Sequence, residues 1–324
     1  MKKILITGAC GFIGSHLTEI MAEKGFKVVA FDRYNINNDY GHLEKSKFID
    51  KIDVKLGDLR DFDSVLNAIN GCEAVFHLGA LIGIPYSYVS PLAYIKTNIE
   101  GTYNILEASR IKKVKQVIIT STSETYGTAK YVPMNESHPK VGQSPYAASK
   151  IAADQLAISY YKSFNLPVKV VRPFNTYGPR QSARAVIPTI ISQILNKNKI
   201  LDLGNLSPTR DFTFVSDTCS GLIEIFNSKK LFGQEINIGS MNEISIHDLA
   251  QKIKQIMNSK IEIKINNFKK RPMNSEVDRL LCDNSFLKNN SKWEIKVNLE
   301  KGLRETIKWI KKNKKIFKAH NYNI

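Results

Sequence analysis

Short runs of β-branched and aliphatic residues alternate with helical patterns through the first half of the chain. Strands are predicted at Lys3–Thr7, Lys27–Phe31, Ile52–Leu56, Ala74–His77, Gln116–Thr120 and Val168–Arg172. Helices are predicted near residues 12–24, 91–110 and 145–164. This alternation is typical of a parallel sheet with helices on both faces. The predicted fold class is therefore α/β, with a doubly wound parallel sheet.

The regular pattern ends after Arg172. Four prolines then divide the chain into shorter pieces, at Pro173, Pro179, Pro188 and Pro208. Amphipathic patterns return at residues 249–257 and 303–312 and predict helices of a smaller C-terminal α/β domain. We expect a first domain of residues 1–172 joined by about 212–240, a second of residues 173–211 and 241–312, and a tail at 313–324.

The composition excludes several classes of protein. The chain has 324 residues, 43% of them hydrophobic, which is ordinary for a packed core. No run approaches the roughly 18 apolar residues that span a bilayer, and no secretory signal begins the chain. The four cysteines, far apart and without a CxxC pair, argue against a disulfide framework and against a zinc site. We therefore expect a cytoplasmic protein without a metal and without membrane contact.

The net charge of +17 by itself suggests nucleic acid or an anionic surface as a partner. The chain has no recognisable nucleic-acid module, however, and many of its lysines fall on predicted surface helices and near the C-terminus. Solvated lysines are the plainer interpretation of the excess.

A glycine-rich segment, TGACGFIG at residues 7–14, lies between the first predicted strand and the first helix. Its glycines permit a tight turn and a close approach of backbone N–H groups to a pyrophosphate at a helix N-terminus. The segment therefore predicts a Rossmann-type dinucleotide site, with contacts from Gly8, Gly11, Phe12, Ile13 and Gly14. Asp32 ends the second strand, where a carboxylate accepts hydrogen bonds from ribose hydroxyls and repels a 2′-phosphate. NAD is favoured, although the neighbouring Arg33 leaves NADP open.

Two further segments follow predicted strands at the same edge of the sheet. In GDL, Asp58 is placed to bind the adenine amine and Leu59 to cover the ring. In HLGA, Leu78 and Ala80 follow the fourth strand and are expected to contact the cofactor. His77 ends a buried strand and is expected to be a core residue.

Tyr146 and Lys150 stand four residues apart on a predicted helix and therefore on one face of it. A lysine beside a phenol favours the phenolate, so Tyr146 could take a hydroxyl proton as a hydride leaves. The fifth strand ends in TSTSE, which brings the Thr122 hydroxyl and the Glu124 carboxylate to the same edge. These four side chains are the candidate catalytic set.

The chain resembles the extended short-chain dehydrogenase/reductase family over essentially its whole length. The resemblance is carried by the terminal acid of the second strand and by TGxxGFIG, GDL, HLGA, TSTSETYG, SPYAASK and RPFNTYGPR. Within that family it is most similar to nucleotide-sugar 4,6-dehydratases. HLGALIGIPYSY at 77–88 and RQSARAVIP at 180–188 resemble the N-acetylglucosamine-nucleotide 4,6-dehydratase of legionaminic acid biosynthesis.

The resemblance assigns roles to individual residues. Thr122, Glu124, Tyr146 and Lys150 take the catalytic positions, and Asn98 joins the cofactor contacts. Many dehydratases have Asp-Glu where this chain has Ser123 and Glu124, so the acid that protonates the C6 leaving group stays open. The implied substrate contacts are Ser123, Asn175, Arg184, Arg210, Arg271 and Glu276.

The resemblance implies oxidation at C4 of the sugar, loss of water across C5 and C6, and return of the hydride to C6. The nucleotide is expected to be GDP, with UDP next, and family members form homodimers through helices that correspond to 91–110 and 145–164. Two other functions stay open. One is a C4 epimerase, which uses the same Tyr and Lys but needs no base at C5; the other is an NAD-binding regulatory or nucleic-acid-binding protein.

Overall fold

The structure is a computed structural model that describes residues 2–317. The strands are β1 Lys3–Thr7, β2 Lys27–Arg33, β3 Ile52–Gly57, β4 Ala74–His77, β5 Gln116–Thr120, β6 Val168–Pro173, β7 Asn175–Tyr177, β8 Ile200–Leu203, β9 Thr209–Phe214, β10 Glu235–Ile238, β11 Glu243–Ser245 and β12 Glu262–Ile265. The helices are α1 Phe12–Glu23, α2 Phe62–Ile69, α3 Ile84–Val89, α4 Pro91–Tyr94, α5 Gly101–Ile111, α6 Pro145–Phe164, α7 Val186–Leu195, α8 Val215–Asn227, α9 Ile246–Ile256, α10 Ser285–Asn290 and α11 Leu299–Lys312.

Seven strands form one parallel sheet in the order β10-β6-β5-β4-β1-β2-β3. Parallel strands need crossover connections, and here these carry helices onto both faces. The α/β doubly wound fold predicted from the alternation of strand and helix is confirmed. The six strands predicted in the first half are all present within one or two residues of the predicted bounds.

The side chains of the central strands alternate between two buried layers. On β1, Ile4 and Ile6 pack on one face with Leu17 and Met21 of α1, whereas Leu5 packs on the other face. Strand side chains alternate with a period of two, so each strand contributes to both cores. This double burial explains the near-continuous apolar runs of the sequence.

The predicted helix at 91–110 is present, but its middle part is π-helical rather than α-helical. Residues Ile95–Glu100 form a π-helical turn between α4 and α5. Within it, the buried Asn98 amide hydrogen-bonds the backbone of Leu81 and the hydroxyl of Ser149. The wider turn points Asn98 at these partners, which are distant in sequence.

Two smaller sheets, β11-β9-β7 and β12-β8, lie in the part of the chain where prolines are frequent. The division into two domains at 172 and 173 stays a prediction.

At the predicted tail, Lys314–Ile316 form a 3-10 turn and Phe317 is buried against Trp309. The rest of that tail, 318–324, lies outside the described residues. Among residues 2–317, no helix is long and apolar enough to cross a membrane.

Candidate active site

The glycine loop between β1 and α1 is shaped by close backbone contacts. Gly8 has a φ of +65°, and a Cβ added to Gly14 would lie 2.0 Å from the carbonyl oxygen of Gly8. The N-cap of α1, Gly11, has no side chain to cap the helix, so the N–H groups of Phe12 and Ile13 face no capping oxygen. A helix N-terminus of this kind binds a phosphate group well. The cradle fits a dinucleotide pyrophosphate and leaves no room for a larger residue.

The predicted adenosine contacts lie at the ends of the neighbouring strands. Asp32 accepts hydrogen bonds from the backbone N–H of Cys10 and of Arg33, both at 2.7 Å. Asp58 is held by Arg60, whose hydrogen bonds and charge keep the pKa of that carboxyl below its usual value. Asp32 therefore also fastens the glycine loop, and Arg60 is a partner that the sequence analysis missed.

The residues that follow β3 and β4 lie beside the glycine loop and pack against one another. Leu59 and Gly79 pack together, since a Cβ on Gly79 would lie 2.8 Å from the Leu59 Cδ1 atom. Leu78 is half-buried and packs against the core, next to Gly79 and Ala80. All these residues follow the carboxyl ends of parallel strands, which is where such sheets bind their ligands.

His77 is a core residue, as expected. Its ring lies 2.8 Å from the Thr7 hydroxyl and 3.1 Å from the Thr102 hydroxyl, and it is almost fully buried. Burial lowers the pKa of His77 to about 3, so the ring is neutral.

Asn98 makes contacts within the protein, and its predicted role as a cofactor contact stays a prediction. Its Oδ1 accepts from the Leu81 N–H, and its Nδ2 donates to the Leu81 carbonyl and to the Ser149 hydroxyl. Both amide protons are thus in use. The structure gives Asn98 the task of fixing the loop after β4 onto α6.

The candidate catalytic residues lie where β5 ends and α6 begins. Thr122 caps a short 3-10 turn, Ser123–Tyr126, which carries both Ser123 and Glu124 in buried positions. Ser144 caps α6 by accepting from the Ala147 N–H, which sets the start of the helix and the place of Tyr146. Lys150 lies one turn further and donates to the carbonyl of Thr120 at 2.7 Å. The predicted set of four is brought together.

The electrostatics of Tyr146 differ from the sequence prediction. Burial raises the pKa of the Tyr146 phenol, and the hydrogen bond with Thr122 opposes this only in part. The Lys150 ammonium donates to a backbone carbonyl, and burial lowers its pKa. The expected lowering of the Tyr146 pKa by Lys150 is therefore wrong for the protein without ligands, because desolvation and the Glu124 charge raise that pKa and only the contact with Thr122 opposes them.

A cluster of opposite charges forms the substrate side of the site. The Arg271 Nη1 atom lies 3.7 Å from Oε1 of Glu124 and 3.6 Å from Oε1 of Glu276. The Arg210 Nη2 atom lies 3.4 Å from the same oxygen of Glu276. Two guanidinium groups therefore converge beside the candidate base.

Two other predicted substrate contacts, Asn175 and Arg184, make no hydrogen bond or ion pair with this cluster within the described residues. The Asn175 Oδ1 atom is buried and, among residues 2–317, has no hydrogen-bond partner, so a ligand donor would satisfy it. Arg184 lies over Gly83, where an added Cβ would be 3.8 Å from its Nη1 atom. Arg184 thus belongs to the rim of the pocket near Tyr94 rather than to the Arg210 and Arg271 pair.

A group of tyrosines around Tyr146 was not predicted from the sequence. The ring of Tyr94 meets that of Tyr146 edge to face, with centroids 6.2 Å apart. The Tyr88 hydroxyl lies 2.6 Å from that of Ser275, which donates in turn to the carbonyl of Gln143. The spacing of tyrosines after the fourth strand was the signal that could have found them. Among the described residues, no group of His, Cys, Asp or Glu is placed to hold a metal ion.

Comparison with known proteins shows the family. The family model for GDP-mannose 4,6 dehydratase matches residues 5–306. The chain is 35% identical to UDP-N-acetyl-alpha-D-glucosaminuronate decarboxylase of Bacillus cytotoxicus, over 96% of this chain and 98% of that protein. It is 31% identical to UDP-glucuronate 4-epimerase of Thermodesulfobacterium geofontis, over 98% and 99%.

Among solved structures, the dTDP-glucose 4,6-dehydratase of Bacillus anthracis in complex with NAD superposes with a TM-score of 0.88 at 27% identity. That alignment covers 99% of this chain and 100% of the other. The family match, the shared fold and the convergence of Thr122, Glu124, Tyr146 and Lys150 at one sheet edge agree with one another. The chain belongs to the GDP-mannose 4,6-dehydratase family of extended short-chain dehydrogenase/reductases.

Proposed function

We propose that this protein is an NAD-dependent nucleotide-sugar 4,6-dehydratase. The observation that carries the proposal is the Glu124 carboxylate, buried on the same short turn that Thr122 caps. Thr122 hydrogen-bonds Tyr146, and the Glu124 charge acts on the same phenol. A hydroxyl, a phenol and a carboxylate within one pocket are what sequential oxidation and elimination require.

Each residue has a task in the proposed reaction. NAD, which the glycine loop and Asp32 would hold, would supply the redox chemistry, namely hydride acceptance from C4 and hydride return to C6. Tyr146 takes the proton of the O4 hydroxyl, while Thr122 holds that oxygen. Lys150 lies one helical turn away, and its positive charge favours the phenolate of Tyr146 as the proton moves.

The 4-ketone acidifies the hydrogen on C5, and Glu124 removes it. The C6 hydroxyl then leaves as water, protonated by Glu124 or by a water held at Ser123. A solvent-derived proton is then added at C5, and Tyr146 releases the O4 proton to solvent. The product is a 4-keto-6-deoxy sugar.

The substrate we propose is GDP-N-acetylglucosamine, with the UDP form next, for the synthesis of legionaminic-acid-type glycans. The Arg210 and Arg271 guanidinium groups suit the diphosphate, because a planar fork pairs with two phosphate oxygens. Glu276, which faces both, is placed to accept from ribose hydroxyls, and Arg184 and Asn175 complete the pocket. The match to a GDP-mannose dehydratase model supports the choice of GDP.

Two relatives favour other reactions on the same frame. A decarboxylase is suggested by the 35% identity to UDP-N-acetyl-alpha-D-glucosaminuronate decarboxylase, and a C4 epimerase by the UDP-glucuronate 4-epimerase. A β-keto acid loses CO₂ once C4 is oxidised and needs no base at C5. An epimerase returns the hydride to C4 and likewise has no use for Glu124.

One experiment separates these functions. The protein is incubated with NAD in D₂O with GDP-N-acetylglucosamine, UDP-N-acetylglucosamine or UDP-N-acetylglucosaminuronate, and the products are identified by mass spectrometry and NMR. Loss of water with one deuterium at C5 is the expected result. Loss of CO₂ from the uronate, or interconversion of C4 epimers alone, would overturn the proposal.

We also propose that the enzyme works in the cytoplasm as a homodimer. The four cysteines are free and buried, as suits a reducing compartment. Leu92, Ile95 and Tyr103, between Pro91 and Ile111, are exposed, as is Phe164 at the end of α6. Light scattering should give twice the chain mass, and a Leu92→Arg, Ile95→Arg double variant should shift it toward the monomer. A wild-type monomer at micromolar concentration would refute the dimer.

A further inference from the structure

Asp154 lies on α6 at the same spacing that separates the two catalytic residues of that helix. Tyr146, Lys150 and Asp154 follow one another at intervals of four, so they lie on one face of the helix. All three are buried, and Asp154 is fully inaccessible. A charged side chain in such a position needs a partner and is rarely present without a use.

The three side chains contact three consecutive residues at the end of β5. Tyr146 hydrogen-bonds the Thr122 side chain, and Lys150 donates to the Thr120 carbonyl at 2.7 Å. Asp154 accepts from the Ser121 hydroxyl at 2.7 Å. The carboxylate thus belongs to the same helix-to-strand junction as the catalytic pair, one turn further from the pocket.

Asp154 also forms a buried ion pair with Arg172 of β6. The Arg172 Nη2 atom donates to Asp154 Oδ2 at 2.8 Å and to Glu235 at 3.1 Å. Both the Ser121 and the Arg172 contacts use Oδ2. The Oδ1 atom is buried and, among the described residues, has no hydrogen-bond partner.

Lys150 is a buried positive charge without an acidic hydrogen-bond partner among residues 2–317. Its ammonium is buried and its hydrogen bond is to a neutral carbonyl, so desolvation lowers its pKa. The charge of Asp154 acts in the opposite direction. The other titratable groups that face this pair are Tyr146, which is neutral at physiological pH, and His77 of β4, which burial keeps neutral. Glu124 acts on Tyr146 from the turn after β5.

We propose that Asp154 is a positioning residue: fixed to Ser121 one helical turn beyond Lys150, its carboxylate charge holds the Lys150 ammonium at the end of β5. It touches neither substrate nor cofactor and acts through Lys150. The proposal rests on the proposed function only in that Lys150 serves the oxidation at C4. The charge requirement itself is a property of the protein without ligands.

The direct test is the titration of Lys150 in the cofactor-free protein. Isotope-labelled lysine ε-carbons are followed by NMR against pH, and the signal of Lys150 is assigned by its loss in Lys150→Arg. In Asp154→Asn, the midpoint of Lys150 should move to lower pH, because an opposite charge that favours the ammonium is removed. The matched control is Ser121→Ala, which removes a hydrogen bond to the same oxygen but no charge, and it should leave the midpoint in place.

Asp154→Asn leaves the Arg172 charge without its fully buried partner and could prevent folding. The double variant Asp154→Asn, Arg172→Gln removes both charges. Arg172 is not among the groups that act on Lys150, so the double variant should show the same lower midpoint. An unchanged midpoint in either variant overturns the proposal, because a merely structural role would not move the titration.

A kinetic readout accompanies the titration. In Asp154→Asn the alkaline limb of the kcat profile should move to lower pH, while KM stays unchanged and Asp154→Glu restores the limb. Asp154 also raises the pKa of Tyr146, so the acid limb should move in the same direction. If no nucleotide sugar is converted by any form of the protein, the proposed function fails, whereas the NMR titration still decides the role of Asp154.

Discussion

The Arg271 Nη1 atom lies 3.7 Å from Oε1 of Glu124. This nitrogen makes no hydrogen bond within residues 2–317 although it is buried. The Arg271 guanidinium therefore lies between the candidate base Glu124 and Glu276, and its Nη1 atom has no hydrogen-bond acceptor among the described residues. In the proposed function, this guanidinium group is a contact for the diphosphate of the substrate.

Glu124→Gln tests the base. The amide keeps the shape but cannot accept the C5 proton, so dehydration should slow by about 10²–10⁴-fold. Oxidation at C4 should persist, and a single turnover should accumulate reduced cofactor, seen by its ultraviolet absorbance. Ser123→Ala is the matched neighbour, and it should slow only the loss of water if Ser123 holds the acid water. Undiminished dehydration by Glu124→Gln would exclude the assigned role.

Arg271→Gln tests the phosphate contact. Loss of a charge-assisted contact worth about 1.5–3 kcal/mol should raise KM for the nucleotide sugar by about 10- to 100-fold. The KM of the wild type should rise with ionic strength, so the difference in KM between wild type and Arg271→Gln should become smaller. Arg279→Gln is the control, because Arg279 pairs with Glu243 at an exposed position and such pairs contribute little. Equal KM values for the two variants would contradict the assignment of Arg271.

Gly14→Ala tests the cofactor cradle. A Cβ there would lie 2.0 Å from the Gly8 carbonyl oxygen, so the loop must open and NAD affinity should be lost. Calorimetric titration with NAD measures this without turnover. At Gly25 an added Cβ meets open space, although its φ of +86° strains any other residue. Gly25→Ala should therefore cost about 1–2 kcal/mol of stability and leave NAD binding unchanged.

Lys169 predicts a pH dependence of stability. This fully buried ammonium donates to the carbonyls of Ile225 and Ser228 at the end of α8, at 2.7 and 2.6 Å. Burial lowers its pKa to about 8, against about 10.4 for an unfolded lysine. Between these values the unfolded chain binds more protons, so the contribution of Lys169 to stability rises with pH.

Urea denaturation from about pH 7 to about pH 10 measures this contribution as the difference between the wild type and Lys169→Met. The difference should stay constant below about pH 8 and then grow in favour of the wild type by at most about 1.4 kcal/mol per pH unit. A difference that stays flat across the whole range would show that Lys169 titrates normally.

The first six strands were predictable because each is a short run rich in aliphatic residues that alternates with helical patterns, whereas the six short strands after Pro173 were not predicted. The glycine loop was predictable because its residues are contiguous and local sterics require glycine. The π-helical turn was not predicted, and its Asn98 contacts Ser149, which the chain brings close only after folding. The raised pKa of Tyr146 depends in the same way on how completely neighbouring elements bury it.

The convergence of Arg210 and Arg271 on Glu276 could not be predicted from the sequence either. The resemblance to a family singled out these residues, but no local pattern states that two guanidinium groups would share one carboxylate oxygen. Asp154 was missed although it continues the spacing of Tyr146 and Lys150. Its partner Arg172 lies on another element, and only the fold shows that the two meet.

The seventh strand of the large sheet has a consequence for hybrid enzymes. Residues of β10 come late in the chain, yet they pair with β6 and bring Glu235 to the Arg172 guanidinium. A single crossover between two relatives at residue 173 would set Arg172 of one parent against Glu235 of the other. A hybrid that exchanges the substrate-binding part between relatives therefore needs two further junctions, one before and one after β10. All seven strands of the sheet then come from one parent.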